Sequence, residues 1–206
     1  DQAAYWKVAR ERFADWGIEV DRTAEDPSAC AAVEKAEAIF VGGGNTFRLL
    51  ARVQGAGLLE PIAEEVRKEV LAWEVIHTDD TPVTLAQSEK GGSRQARVWV
   101  YLNREGRTWY EFTESRKRDG PARVFADFQG FIQADAYGGY DGLYLPGGAT
   151  EVACWAHVRR KFVDAEPTDP ALAKAAVDRI RVLFGIEEAA KDLSDEARAA
   201  LRREKA

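Results

Sequence analysis

Two apolar segments of this chain end in aspartate, Val75-Ile76-His77-Thr78-Asp79 and Gly130-Phe131-Ile132-Gln133-Ala134-Asp135. Segments of this length and composition read as buried strands. A carboxylate at the end of such a strand lies at a sheet edge, where it is costly unless something cationic sits beside it. Mg²⁺ or Mn²⁺ is the natural occupant of such a place. In the first segment Asp80 follows Asp79 and Pro82 is expected to break the strand. The two aspartates are 56 positions apart, room for a β-hairpin and one further element. The hairpin is expected from Arg97–Leu102 and Thr108–Phe112, joined by Asn103-Arg104-Glu105-Gly106. An acidic turn is the plainer reading of either aspartate taken alone.

The rhythm before Val70 is different. Residues 2–16 carry Tyr5, Trp6, Ala9, Phe13 and Trp16 at helical spacing, with Gly17 as the stop. Ile18-Glu19-Val20 is a short strand candidate. Asp26-Pro27 opens a second helix, Ala38-Ile39-Phe40-Val41 reads as a buried strand, and helices are expected over Phe47–Val53 and Pro61–Val70. Alternating helix and strand predict a parallel α/β arrangement. After the second aspartate, helices are expected over Val152–Ala165, Pro170–Ala190 and onward from Ser194. We therefore expect two units joined near residues 66–72.

Composition narrows the functional classes. The chain has 206 residues, 46% hydrophobic and 31% charged, with no apolar run near the ~20 residues of a membrane span. Asp1-Gln2-Ala3 does not open a secretory signal, and the lack of any methionine suggests a piece of a longer protein. Cys30 and Cys154 make no metal-binding pair and fit two thiols of a reducing cytoplasm. A net charge of −6 argues against a simple basic DNA-binding module. Residues 89–123, however, carry nine basic and five acidic side chains, a local surface that can meet phosphate.

Two stretches carry resemblances. Glu34-Lys35-Ala36-Glu37-Ala38-Ile39-Phe40-Val41-Gly42-Gly43-Gly44-Asn45-Thr46-Phe47-Arg48-Leu49-Leu50 resembles peptidase E, the aspartyl dipeptidases. That resemblance covers residues 1–68 and implies a partial parallel α/β fragment of class I glutamine amidotransferase-like fold. It also implies that Gly43, Gly44 and Asn45 are the remnant of an oxyanion turn. The nucleophilic serine of that family sits in a G-x-S-x-G turn. None of the five serines here lies in one, so acyl-enzyme chemistry is not expected.

The second resemblance covers residues 69–206. Val75–Val83, Ala96–Tyr101, Asp127–Tyr144 and Cys154–Phe162 together resemble the transposases of the insertion sequence 66 family. The implied fold is a ribonuclease-H-like mixed sheet with helices, and the implied site is an Asp-Asp-Glu triad with Asp79 and Asp135 as its first two acids. Both would be catalytic and would ligate Mg²⁺ or Mn²⁺. Asp80 takes a position that is acidic but not catalytic, and Ala136 replaces a usual glycine. The basic helix with His157, Arg159, Arg160 and Lys161 would bind the DNA of transposon ends. The family's third acid is a glutamate in an Asn-Asn-x-x-Glu-Arg stretch, which these 206 residues do not contain. Glu187, Glu188 and Glu196 lie in no such context. The expectation is thus a truncated core with weak metal binding and no activity. The alternatives are a dipeptidase remnant without its nucleophile and a non-catalytic fusion product.

Overall fold

The computed structural model describes residues 2–22, 28–41, 45–86 and 92–206. It divides into two compact units, Asp1–Ala72 with Glu105–Trp109, and Trp73–Arg104 with Tyr110–Ala206.

The described part of the first unit holds four helices: α1 (Gln2–Ala14), α2 (Ala29–Lys35), α3 (Thr46–Gly55) and α4 (Leu59–Leu71). Its small core gathers Ala29, Val33 and Leu58, with Val53 and Ile62 packed against them. Leu58, Val53 and Ile62 sit at positions that α3 and α4 bring together through the turn at Gly57, whose φ of 67° suits glycine. Two expected strands differ from the structure. Ile18–Val20 and Ala38–Val41 are not in strands, and Ile39, Phe40 and Val41 are exposed. A strand holds only when a neighbouring edge satisfies its backbone groups, and among the described residues of this segment none does. The apolar stripe of α1 is likewise little buried, with Tyr5, Val8 and Trp16 exposed and Phe13 set edge-on to Phe40.

The second unit is built on a mixed five-stranded sheet. Its strands are β1 (Val75–Ala86), β2 (Ser93–Asn103), β3 (Thr108–Thr113), β4 (Phe131–Ala134) and β5 (Thr150–Ala153), in the spatial order β3-β2-β1-β4-β5. β1 and β2 are antiparallel from Ile76 opposite Asn103 to Ala86 opposite Ser93. β4 runs parallel to both β1 and β5. A short helix α5 (Asp119–Val124) precedes β4, and α6 (Trp155–Asp164), α7 (Pro170–Ala189) and α8 (Asp195–Lys205) follow β5.

Alternation along the strands places the core. Ile76 and Thr78 on β1, Trp99 and Tyr101 on β2, and Ile132 and Ala134 on β4 are all buried. Phe125 stands edge-on to Tyr101, and Tyr140 edge-on to Trp99, at centroid distances of 5.4 and 6.1 Å. The expected break at Pro82 does not occur, because β1 runs through it. β1 pairs with β4 only over Val75–His77, so Pro82 lies where β1 has β2 alone as neighbour and its missing N–H is tolerated.

Candidate active site

The place where β1 outruns β4 is also where the acids meet. His77 lies opposite Gln133 in the parallel pairing, and Asp79 and Asp135 are each two residues further on. Single carboxylate oxygens of Asp79, Asp80 and Asp135 all lie within 4.8 Å of one another. Asp79 and Asp80 lie inside β1, in the part that has no β4 partner, and Asp135 follows the end of β4 at Ala134.

Two neighbouring acids have opposite environments because successive strand residues face opposite ways. Asp80 continues the buried face of Ile76 and Thr78, and its side chain is only 1% exposed. Both of its oxygens are taken. Oδ2 accepts a hydrogen bond from Arg97 Nη1 at 3.0 Å, and Oδ1 accepts one from Arg116 Nε at 2.8 Å. Arg97 reaches it because it stands two residues before Trp99, which lies directly opposite Asp80. Asp79 is 49% exposed, and its Oδ1 accepts a bond from the Asp80 backbone N–H.

Arg116, in the connection between β3 and α5, joins the acids. Its Nη2 is 2.7 Å from Asp80 Oδ1 and 2.9 Å from Asp135 Oδ2. Burial opposes its charge, but the bonds to Asp80 and Asp135 outweigh that and hold the guanidinium protonated more firmly than an ordinary arginine. The Tyr137 ring lies 4.0 Å beneath the guanidinium, and the Tyr137 hydroxyl donates to the Arg116 carbonyl. Asp135 Oδ1 is buried and has no hydrogen-bond partner among the described residues. A buried, unpartnered carboxylate oxygen beside a second acid is a donor set that fits a hard divalent cation, which takes oxygen ligands.

The basic helix divides between two surroundings. His157, in the first turn of α6, points back to the acids, with Nε2 3.5 Å from Asp79 Oδ2 and a buried, unpartnered Nδ1. Spacing along the sequence groups His157 with Arg159, Arg160 and Lys161, and the structure sets its ring beside Asp79. The spacing of His157 from Cys154, the residue that follows β5 and caps α6, is the signal that could have set it apart. Arg159, Arg160 and Lys161 are exposed, and none makes an ion pair with a described residue. Ala136 is exposed with an ordinary backbone, so the methyl group in place of the usual glycine meets no strain. Arg97, Arg116 and Tyr137 were not singled out from the sequence. They come from three separate elements, and only the fold brings them together.

In the first unit, Gly43 and Gly44 lie outside the described residues. Asn45 caps α3, its side chain accepting a bond from the Arg48 N–H at 3.1 Å.

A mixed α/β sheet with a cluster of three carboxylates that could hold a metal ion, flanked by guanidinium groups, describes the second unit. The model of the transposase IS66 family matches residues 47–206, and this chain belongs to that family. The model of peptidase family S51 matches residues 1–73. The two matches overlap over residues 47–73.

Individual relatives divide in the same way. The chain is 30% identical over 166 residues to "Uncharacterized protein y4qI" of Sinorhizobium fredii, covering 71% of this chain and 30% of that protein. It is 42% identical over 67 residues to peptidase E of Salmonella typhi, covering 32% of this chain and 29% of the enzyme. It is 38% identical over 73 residues to the probable alpha-aspartyl dipeptidase of Drosophila melanogaster, covering 35% and 30%. The chain thus spans about a third of the length of the curated relatives it matches. No described helix is long and apolar enough to cross a membrane.

Proposed function

We propose that residues 69–206 are part of a ribonuclease-H-like core for DNA strand cleavage and transfer, with Asp79 and Asp135 as two of its catalytic acids. The observation that carries this reading is the pairing of β1 with β4, which brings carboxylate oxygens of Asp79 and Asp135 within 4.8 Å of each other, Asp135 Oδ1 being buried and unpartnered among the described residues. Family membership supports it. Mg²⁺ or Mn²⁺ bound there would activate an attacking water or 3′-hydroxyl and stabilise the leaving oxygen. The chain's own residues hold and orient that centre. Asp79 offers an accessible carboxylate, Asp135 offers one free oxygen, and His157 closes the side of the site at Asp79. Exposed Arg159, Arg160 and Lys161 supply phosphate contacts, which confer affinity without sequence preference.

A polypeptide of these 206 residues carries two of the three acids of an Asp-Asp-Glu triad in their family context. Phosphoryl transfer depends on positioning and charge stabilisation, so this polypeptide should not nick plasmid DNA above background, even with Mn²⁺. Glu187 is a poor substitute for the third acid because Arg202 already grips both its oxygens, at 2.7 and 2.6 Å. Residues 1–68 are proposed as a peptidase E-like, non-catalytic segment, since no serine of the chain lies in a G-x-S-x-G turn.

The test has two parts. Mn²⁺ binding, followed by the resonance signal of the free ion, should be lost in both Asp79→Asn and Asp135→Asn. Binding that survives both changes would end the assignment of the site. Affinity for duplex DNA should fall steeply with salt, and replacing Arg159, Arg160 and Lys161 by alanine should lower the slope of log K against log salt by roughly 3.

A further inference from the structure

The acids do not stand alone, because a positive charge of the chain itself already sits among them. Arg116 Nη2 bridges Asp80 Oδ1 and Asp135 Oδ2 at 2.7 and 2.9 Å, the place a cation shared by those two carboxylates would take. The guanidinium is held by Asp80, which Arg97 holds in turn, by Asp135 and by the Tyr137 ring below, while the Tyr137 hydroxyl donates to the Arg116 backbone carbonyl. Asp80 has no oxygen left over, and Asp135 has one.

We propose that Arg116 is a resident counter-cation that withdraws Asp80 and one oxygen of Asp135 from ligation, and so restrains the affinity and number of divalent ions the site accepts. This rests on the reading of Asp79 and Asp135 as a divalent-cation site. Arg116 is a positioning residue: it acts through Asp135 rather than on substrate. Three carboxylates facing two guanidinium groups leave a local charge of about −1. Without Arg116 the same acids carry about −2, and Asp135 gains a second free oxygen.

Two effects of removing Arg116 oppose each other, and their sizes decide the outcome. A divalent ion on the other oxygen of Asp135 would be repelled by the guanidinium. At an assumed separation of about 6 Å, and even at the dielectric of water, that repulsion weakens binding about tenfold. Losing the clasp frees the two torsions of one short side chain, which weakens binding only about two- to fourfold. Repulsion dominates, more so in a partly buried site.

The experiment is a titration with Mn²⁺ alone, read by the resonance of the free ion, on the whole 206-residue polypeptide. Arg116→Gln should bind Mn²⁺ at least threefold and up to tenfold more tightly than the unaltered chain, whereas Arg116→Lys, which keeps the charge, should stay within about twofold of it. If Arg116→Gln does not fold, the Asp80→Asn, Arg116→Gln double variant removes the buried ion pair as a unit. It is then compared with Asp80→Asn alone and should show the same tightening. Equal or weaker binding in the charge-removed variant, or no binding by it at all, overturns the proposal. Mn²⁺ binding by the unaltered chain that neither Asp79→Asn nor Asp135→Asn changes would instead overturn the site itself. The two failures are therefore distinct.

Discussion

Asp79 and Asp80 are identical side chains on adjacent residues, yet removing them should have unequal consequences. Asp80 is almost fully buried and pairs with two guanidinium groups. Asp80→Ala takes from Arg97 its paired carboxylate and leaves Arg116 with Asp135 alone, and should cost about 2–3 kcal/mol, below the usual cost of breaking a buried pair because Arg116 keeps a partner and both arginines keep some water. Asp79→Ala should change stability by less than about 1 kcal/mol, since half the side chain is solvated. Urea unfolding of the two variants checks the contrast. Tyrosines give a pH dependence at the same scale. Burial pushes the hydroxyls of Tyr101 and Tyr140 well above the ordinary tyrosine value, so the folded chain keeps protons that the unfolded chain gives up. Their contribution is fully present below about pH 10 and is lost as pH rises above it. Tyr140→Phe should lose less melting temperature between about pH 9 and pH 11 than the unaltered chain, because its hydroxyl makes only a 3.5 Å contact to Thr78.

At the scale of elements, the sheet of the second unit was largely legible and the first unit was not. The strand that carries Asp79, the strand that ends at Ala134, the hairpin strands and the three C-terminal helices all announce themselves through periodicity and capping residues, as with Asp169 and Ser194 at the starts of α7 and α8, although β1 runs seven residues past its expected end at Asp79. Besides a short 3-10 turn at Asp141–Leu143, two elements were missed. The helix expected over Val152–Ala165 takes in Val152 and Ala153, which instead belong to β5, because β4 offers an open edge and pairing with it overrides local preference. α5 is a six-residue helix that contains Gly120 and Pro121, too short to show a period. In the first unit, apolar runs read as strands because sequence shows a strand's side chains but not whether an edge exists to pair with. At the site, the two aspartates were visible because each follows a short apolar run, although Asp79 lies inside β1, which continues to Ala86, and Asp135 lies just after β4. The arginines that neutralise Asp80 were not, because charge pairing across 17 and 36 positions has no local signature. The turn into β4 offers an element-scale test. A Cβ on Gly130 would lie 2.2 Å from the Glu74 carbonyl and 2.6 Å from the Phe128 ring. Gly130→Ala should therefore destabilise the chain by about 1–3 kcal/mol, measured by thermal melting.

At the scale of the whole molecule, two family matches share one chain, and neither spans most of its relatives. The functional proposal therefore concerns the site these residues build, and its reach is set by that site. The acids, the arginines that hold them and the histidine beside them all belong to Trp73–Arg104 and Tyr110–Ala206. Nothing in their geometry calls on a residue of the peptidase-like segment.

The notch where β1 outruns β4 also implies an order of events during folding. The β1–β2 ladder closes a connection of about 6 residues, whereas docking β4 on β1 closes about 56, an entropic difference of about 2 kcal/mol. The Asp80–Arg97 pair should therefore form with the early hairpin, and Asp135 should arrive after the rate-limiting barrier. Stopped-flow kinetics should then show Asp135→Asn speeding unfolding with little change in the folding rate, while Arg97→Gln slows folding. The half of the site that waits for its partner would be assembled last and opened first, so hydrogen exchange at Ala134 and Asp135 should outpace exchange at Thr78 and Asp80.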